Sequence, residues 1–167
     1  MSPTAVAPAI QALTPRDRER VEAMTRAVGV FRDDEVPVAL EVFDAATGVG
    51  RRIDPDYETA GVQLDGVLLG WACWGPVPCT LGTFDLYWIV VDPGCQGRGL
   101  GGLLLQEMER RIAGRARLVL VETAGRPDYA STRAFYTRHG YGIVATIPDF
   151  YAPGDARVTF AKNMGEG

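Results

Sequence analysis

The sequence is poor in the residues from which metal and disulfide sites are built. Its 167 residues include one histidine and three cysteines. Cys73, Cys79 and Cys95 form no CxxC pair and have no histidine at metal-ligand spacing. We therefore expect no metal and no disulfide framework, with free thiols in a reducing compartment, the cytoplasm.

The sequence also lacks the patterns of two other protein classes. No run reaches the roughly 18 apolar residues of a membrane span, and the first residues carry no basic signal-peptide segment. Seventeen Lys and Arg against 21 Asp and Glu give a net charge of −4, so the basic surface of a nucleic-acid-binding protein is missing. We expect one globular domain, residues 1–167, that binds neither nucleic acid nor membrane.

Hydrophobic periodicity and turn residues predict elements in the order ααβββαβαββ, an α/β chain with a mixed sheet. Asp33 or Asp34 can cap the second helix, and Asp65-Gly66 predicts a tight hairpin. The stretch PDFYAPGD is predicted to be a loop between the last two strands. The predicted helices cover about 15–28, 34–47, 99–113 and 127–139, and the predicted strands 59–64, 67–74, 83–91, 118–121, 142–147 and 157–161.

The stretch VDPGCQGRGLGG, residues 91–102, carries the strongest functional signal. It satisfies the dinucleotide pattern GxGxxG, with Glu122 near the spacing of a ribose-binding acid. In that fold, however, the first glycine follows the strand almost directly, whereas five residues separate Val91 from Gly97 here. No Lys-Ser/Thr follows, so a Mg-nucleotide loop is disfavoured. The favoured interpretation is a nest of backbone N–H groups that binds phosphate at a helix start.

Two motifs carry a family resemblance. Gln96-Gly97-Arg98-Gly99-Leu100-Gly101 after the strand is similar to the Q/R-x-x-G-x-G/A motif of the GCN5-related N-acetyltransferase (GNAT) superfamily. The helix ending in Phe135-Tyr136-Thr137-Arg138-His139-Gly140-Tyr141 resembles its F/L-Y-x-x-x-G-F/Y motif. The resemblance implies a mixed, mostly antiparallel central sheet flanked by helices, with a splay between two central strands.

The resemblance also implies acetyl-CoA as co-substrate. The backbone N–H groups of Gln96, Gly97, Arg98, Gly99, Leu100 and Gly101 would hold its pyrophosphate, and Ile89, Val90 and Val91 would guide its pantetheine arm. Tyr136 would be the general acid. Tyr129, Thr132 and Arg133 lie at i−7, i−4 and i−3 from Tyr136 and so on its helix face, with Tyr129 standing where many relatives have Asn.

A general base is needed because an alkylamine is almost fully protonated at neutral pH. Two acids lie in otherwise apolar strands: Glu122, which ends the strand predicted over 118–121, and Asp85, in the strand 83–91. Either could act through a water molecule. An acid in apolar surroundings would have its pKa raised toward the working range.

The acceptor amine would be surrounded by the connection of the first two helices, aromatic strand residues and the loop at 149–151. These candidates are Phe31, Asp33, Asp34, Trp71, Trp74, Tyr87 and Tyr151. His139, in the last turn of a helix, is expected to be structural.

The sequence thus predicts an acetyl-CoA-dependent N-acetyltransferase that acts by direct attack of a primary amine. The resemblance leaves the acceptor open between a small molecule and a peptide or protein amine. It also leaves the oligomeric state open between a monomer and a homodimer, the form that family members often adopt. The alternatives are a non-catalytic acyl-CoA-binding sensor or accessory domain and a dinucleotide-binding protein.

Overall fold

A computed structural model describes residues 6–165 of the chain. Its strands are β1 (Ala9–Gln11), β2 (Glu58–Leu64), β3 (Val67–Pro76), β4 (Thr83–Val91), β5 (Leu118–Ala124), β6 (Gly142–Ala152) and β7 (Asp155–Asn163). Its α-helices are α1 (Arg18–Ala27), α2 (Glu35–Thr47), α3 (Leu100–Ile112) and α4 (Ala130–Arg138). Over the described residues, no helix combines the length and apolar character needed to cross a membrane.

The strands form one seven-stranded sheet in the order β1-β2-β3-β4-β5-β7-β6. The pair β4–β5 is parallel, and the pairs β1–β2, β2–β3, β5–β7 and β6–β7 are antiparallel. The parallel register joins Thr83–Leu86 to Leu118–Val121 and stops there, although β4 continues to Val91 and β5 to Ala124. The predicted mixed, mostly antiparallel sheet with a splay between two central strands is confirmed.

The hairpin predicted at Asp65-Gly66 is confirmed. Both residues have positive φ, +51° and +77°, as the tight turn between β2 and β3 requires. Strand β3 nevertheless runs through Pro76, past the end of the strand predicted over 67–74.

Three other elements differ from the sequence prediction. Strand β1 was missed because three residues are too few to display a period. Strand β5 runs to Ala124, since it pairs along its whole length with β7, so Glu122 lies inside the strand rather than at its end. Most of the predicted loop PDFYAPGD is strand: β6 reaches Ala152 and β7 starts at Asp155, so that only Pro153-Gly154 turns.

The chain divides into two compact units. The first contains the residues up to Trp74 together with Trp88–Arg111. The second contains Gly75–Tyr87 together with the residues from Ile112 onward.

Strand β3 organises the first unit because it is buried on both faces. Trp71 lies with its ring 5.9 Å from the ring of Phe43 in α2, and its indole N–H donates to Thr25 Oγ1 of α1 at 3.1 Å. Gly70 faces the other way, where an added Cβ would lie 3.2 Å from Leu104 Cδ1 of α3. Since successive strand residues alternate, β3 presents one face to α1 and α2 and the other to α3.

In the second unit, α4 packs on one face of β7. The ring of Tyr136 lies 5.8 Å from the ring of Phe160, and both side chains are buried. The residues that alternate with Phe160 lie on the opposite face of β7, which is polar. They are Asp155, Arg157 and Thr159.

The hydrogen bond between Thr25 and Trp71 gives a stability prediction. Both residues are 0% exposed, so Thr25→Val would leave the indole N–H buried without its acceptor. We expect a loss of about 1–3 kcal/mol in the free energy of unfolding, measured by urea denaturation.

Thr47→Val is the matched control. Thr47 is buried and donates to the carbonyl of Phe43 at 2.8 Å, as Thr25 does to Val21 at 2.7 Å. Among residues 6–165, however, no indole N–H donates to the Thr47 hydroxyl. Equal losses from the two variants would contradict a special contribution from the Trp71 bond.

Candidate active site

Arg20 and Asp92 hold the segment that enters the glycine-rich stretch. Arg20 Nη2 donates to Asp92 Oδ2 at 2.6 Å, and its Nε donates to the Leu68 carbonyl at 3.0 Å. The N–H of Asp92 donates to the Leu69 carbonyl at 2.8 Å, and Asp92 Oδ1 accepts the N–H of Gly94 at 2.9 Å. Asp92 therefore joins α1, β3 and the turn that follows β4.

These contacts lower the pKa of Asp92. The hydrogen bond from Arg20 is the largest cause and the N–H of Gly94 the second, while partial burial acts in the opposite direction. The carboxylate is therefore ionised at neutral pH and accepts both bonds.

Beyond Asp92, the backbone of the stretch is open to a ligand. Gly97 and Gly99 have φ of +78° and +76°, and no described atom lies within 4 Å of a Cβ added at either. Residues with a side chain rarely adopt such φ values. The first backbone bond of α3 runs from Leu103 N–H to the Gly99 carbonyl at 3.1 Å, so the N–H groups before Leu103 have no partner within the helix. Such groups, at the positive end of a helix dipole, bind anions.

The three residues predicted to contact the pantetheine arm, Ile89, Val90 and Val91, precede this turn. Val90 is buried, and Ile89 and Val91 are half-buried. Gly70 of β3 permits a close approach here, because an added Cβ would lie 2.9 Å from the carbonyl oxygen of Val90. Arg98 is exposed.

An aromatic pair also lies in the first unit, near the connection of α1 and α2. The rings of Phe31 and Trp88 meet edge to face at 5.0 Å. Asp33 is exposed, and Asp34 Oδ1 accepts from Arg32 Nε at 3.0 Å. Asp34 occupies the N-cap position of α2, but its side chain makes no capping bond, because its carboxylate pairs with Arg32 instead.

In the second unit, Asp85 and Glu122 lie on one face of the sheet. Asp85 is paired with Leu120 across the β4–β5 register, so Asp85, Leu120 and Glu122 share a face. Partial burial raises the pKa of Asp85, and the negative charge of Glu122 raises it further. The Glu122 side chain is 54% exposed, and its Oε1 lies 3.4 Å from Arg157 Nη1. A carboxylate with a raised pKa can take up a proton from a reacting group.

Tyr136 lies on the other face, among aromatic rings. The rings of Phe135, Tyr141 and Phe160 are 5.2, 5.8 and 5.8 Å from its ring. Burial raises the pKa of Tyr136, and Tyr129 adds to the effect. The phenol therefore stays protonated at neutral pH, as a proton donor must be.

The other predicted residues of the second unit are buried or half-buried. Arg133 Nη1 donates to the carbonyls of Ala124 and Arg126 at 2.7 and 2.9 Å, so it ties α4 to the end of β5. Tyr129 is buried, and Thr132, Tyr87 and Tyr151 are half-buried. His139 lies 4.5 Å from the Phe135 ring, in agreement with a structural role. Residues 6–165 contain no group of His, Cys, Asp and Glu that could hold a metal ion.

Comparison with known proteins identifies the family. The model of the Acetyltransferase (GNAT) family matches residues 20–141, a range that includes both motifs. The chain belongs to this family.

Individual relatives agree with this assignment. A crystal structure from Desulfovibrio desulfuricans, of a protein assigned to the GNAT acetyltransferases, is 37% identical, with a TM-score of 0.85 over 96% of this chain and 100% of that one. A mycothiol acetyltransferase of Mycolicibacterium gilvum is 36% identical over 106 residues, which are 58% of this chain and 34% of that protein. The chain thus spans about a third of the length of that curated relative. An aminoglycoside 6'-N-acetyltransferase in complex with coenzyme A shares the fold at 16% identity, with a TM-score of 0.74 over 94% of this chain and 97% of that one.

The structure corrects two acceptor-site predictions for this GNAT protein. Trp71 and Trp74 are both 0% exposed and belong to the core. Trp71 is bonded to Thr25, and the guanidinium of Arg111 lies 5.7 Å from the centre of the Trp74 ring. Their places in a strand covered on both faces leave them no surface for an acceptor.

The sequence patterns do not single out two residues of this GNAT protein, Arg20 and Arg157. Arg20 stands in the polar part of an ordinary amphipathic helix, 72 positions from Asp92, so no local pattern marks it. Arg157 lies in a strand whose alternation was visible, but its proximity to Glu122 depends on the β5–β7 register.

The Asp92 contacts give a prediction about pH. Because the folded-state pKa of Asp92 is lowered, its stabilising effect is present above the unfolded-state pKa of about 3.9 and is lost as the pH falls through the folded-state value. We expect Asp92→Asn to cost on the order of 1 kcal/mol at pH 7. The difference from wild type should shrink below about pH 4, as measured by chemical denaturation across pH.

Asp44→Asn separates a local effect on the turn from a general loss of charge. Asp44 accepts from Arg18 Nε and Nη2 at 2.7 and 3.1 Å, away from the turn. Amide hydrogen exchange at Gly94 and Cys95 should accelerate in Asp92→Asn and not in Asp44→Asn. Equal exchange rates in the two variants would refute the anchoring role.

Proposed function

We propose that this GNAT protein is an N-acetyltransferase that moves the acetyl group of acetyl-CoA to a primary amine by direct attack. The observation that carries the proposal is the open backbone at Gly97 and Gly99, before α3, held in position by Asp92 and Arg20. This arrangement suits a pyrophosphate, and it occurs in a chain of an acetyltransferase family.

In this proposal the N–H groups of Gln96–Gly101 bind the pyrophosphate of acetyl-CoA. The absence of atoms near a Cβ at Gly97 and Gly99 supports the fit, since a bulky anion needs that space. Arg98, which is exposed, would add a positive charge beside it. The backbone of Ile89–Val91 would bind the pantetheine arm. A structural neighbour solved with coenzyme A supports the choice of ligand.

We assign the general base to Asp85, acting through a water molecule. Half-burial and a raised pKa support this choice over Glu122, whose side chain is more exposed and lies beside Arg157. Glu122 would then make Asp85 a stronger base, because the negative charge of Glu122 raises the pKa of Asp85.

The proposed reaction keeps protons and electrons balanced. Asp85 takes a proton from the ammonium of the acceptor, and the neutral amine attacks the carbonyl carbon of the thioester. The C–N bond forms and the C–S bond breaks. Tyr136, which burial keeps protonated, gives its proton to the departing thiolate. The nitrogen that has attacked then loses its second proton, which passes through water to the phenolate and restores the Tyr136 hydroxyl, and Asp85 releases the first proton to solvent.

The first test measures thiol release from acetyl-CoA across a panel of primary amines, with calorimetric titration of coenzyme A in parallel. We expect turnover with at least one amine and binding of coenzyme A. Binding without turnover on any amine would favour a sensor over an enzyme. Thermal stabilisation by NAD(H) and none by coenzyme A would favour the dinucleotide alternative.

The second test concerns the general acid. Tyr136→Phe removes only the hydroxyl, and we expect kcat to fall by about 10²-fold or more while the affinity for coenzyme A is unchanged. Tyr141→Phe is the control, because Tyr141 is also buried and its ring lies 5.8 Å from the ring of Tyr136. Wild-type kcat in Tyr136→Phe at every pH would exclude the role.

The third test separates the two carboxylates through the pH profile of kcat/KM. Activity that needs ionised Asp85 falls as the pH drops below its raised pKa. Glu122→Gln removes a charge that raises this pKa, so the acidic limb should move to lower pH, whereas Asp85→Asn should abolish most activity. The reverse result would make Glu122 the base.

A further inference from the structure

Strand β3 contains a β-bulge where it runs beside the end of β4. In the β2–β3 register Val62 pairs with Gly70, and Gln63 pairs with Leu68. Leu69 is therefore an extra residue of β3 with no partner in that register. A bulge bends a strand and changes the direction of its backbone groups, so it alters what β3 presents to β4.

Two residues of this bulge hold the end of β4. The carbonyl of Leu69 accepts from the N–H of Asp92 at 2.8 Å. Gly70 lies against Val90, because a Cβ added at Gly70 would be 2.9 Å from the Val90 carbonyl oxygen. The strand segment that precedes the glycine-rich turn thus rests on the bulge.

Space rather than conformation explains the glycine at position 70. The φ of Gly70 is not positive, so its backbone would allow a side chain. The added Cβ, however, would meet the Val90 carbonyl at 2.9 Å and Leu104 Cδ1 of α3 at 3.2 Å. The end of a leucine side chain can rotate away, whereas a carbonyl oxygen moves only with its strand. A side chain at position 70 would therefore displace β4 at Val90.

These contacts also determine which backbone groups of β4 face a ligand. The N–H and C=O groups of successive strand residues point to opposite sides of the strand. The Val90 carbonyl and the Asp92 N–H lie on the side of β3. The backbone groups of Ile89 and Val91 therefore point to the other side, where, in residues 6–165, the register with β5 ends at Leu86.

A pantetheine arm fits these groups. It contains two amides, each with one donor and one acceptor, so it can bond to the edge of a strand as another strand does. The arm is joined covalently to the pyrophosphate, which the proposed function places at Gly97 and Gly99. The ligand therefore fixes the spacing that the end of β4 and the start of α3 must have.

We propose that Gly70 is a positioning residue for the pantetheine arm. Its missing side chain lets β3 hold the Val90 carbonyl, so that Ile89 and Val91 present their backbone groups at the spacing from α3 that coenzyme A requires. The inference rests on the proposed function and explains how the protein positions the arm of its co-substrate.

The first test compares coenzyme A with 3'-phospho-ADP, which has the adenosine, the 3'-phosphate and the pyrophosphate of coenzyme A but no pantetheine arm. Calorimetric titration gives the two Kd values. We expect Gly70→Ala to raise the Kd of coenzyme A by about tenfold or more and to leave the Kd of 3'-phospho-ADP within about twofold of wild type. A general loss of structure would weaken both ligands alike.

Gly61→Ala is the matched control. Gly61 lies in β2 of the same unit, and an added Cβ would meet Leu68 Cδ1 at 2.6 Å and Leu13 Cδ2 at 2.7 Å, which are ends of flexible side chains. The variant adds the same methyl group to the same sheet without pressing on β4. We expect its ratio of the two Kd values to stay within about twofold of wild type. A ratio changed as much as in Gly70→Ala would contradict a specific role of Gly70.

The second test uses the wild-type protein, so it does not depend on the folding of a variant. Amide hydrogen exchange at Ile89 and Val91 should slow when coenzyme A binds. It should be unchanged by 3'-phospho-ADP, because only the pantetheine arm reaches these groups.

The outcomes separate this inference from the proposed function. An equal ratio of Kd values in wild type and Gly70→Ala, or exchange at Ile89 and Val91 that coenzyme A does not slow, overturns the role of Gly70. Either result leaves the transferase standing if amines are turned over. Failure of the wild-type protein to bind coenzyme A overturns the proposed function and this inference with it.

Discussion

The position of the glycine-rich stretch in the first unit depends on the ion pair between Arg20 and Asp92. The Asp92 carboxylate accepts from a side chain of α1 and from the backbone N–H of Gly94, and its own N–H is bonded to β3. These bonds fix where the chain leaves β4, and hence where Gly97 and Gly99 present their backbone. A loop of glycines has high conformational entropy when free, so a fixed entry point reduces the cost of ordering it around a ligand.

In the second unit, successive residues of β7 point to opposite faces, one apolar and one charged. One face of β7 holds Phe160 and is covered by α4, where burial keeps Tyr136 protonated. The opposite face holds Arg157 and adjoins the carboxylates of Asp85 and Glu122. The two faces of the sheet thus differ in exposure and in charge, and burial and nearby charge raise the pKa values of Tyr136 and Asp85.

Much of the fold could be predicted from sequence, and less of the site. The β2–β3 hairpin, the apolar β4 and the glycine-rich start of α3 each have local signals, and all three are present. The extension of β5 past Glu122 and the strand character of the segment before Asp155 had no such signal, because pairing with distant strands imposed them. Trp71 and Trp74 show the same limit: an aromatic residue in a strand can serve a core or a pocket, and only packing decides which.

The sequence by itself determined the family and the position of the glycine-rich stretch, since both depend on residues close together in the chain. The tertiary structure alone decided that Asp92 is held by Arg20, that Asp85 rather than Glu122 is the more buried acid, and that Arg157 lies beside Glu122. These properties depend on register, burial and through-space charge between residues far apart in sequence. No local sequence pattern indicates any of these three properties.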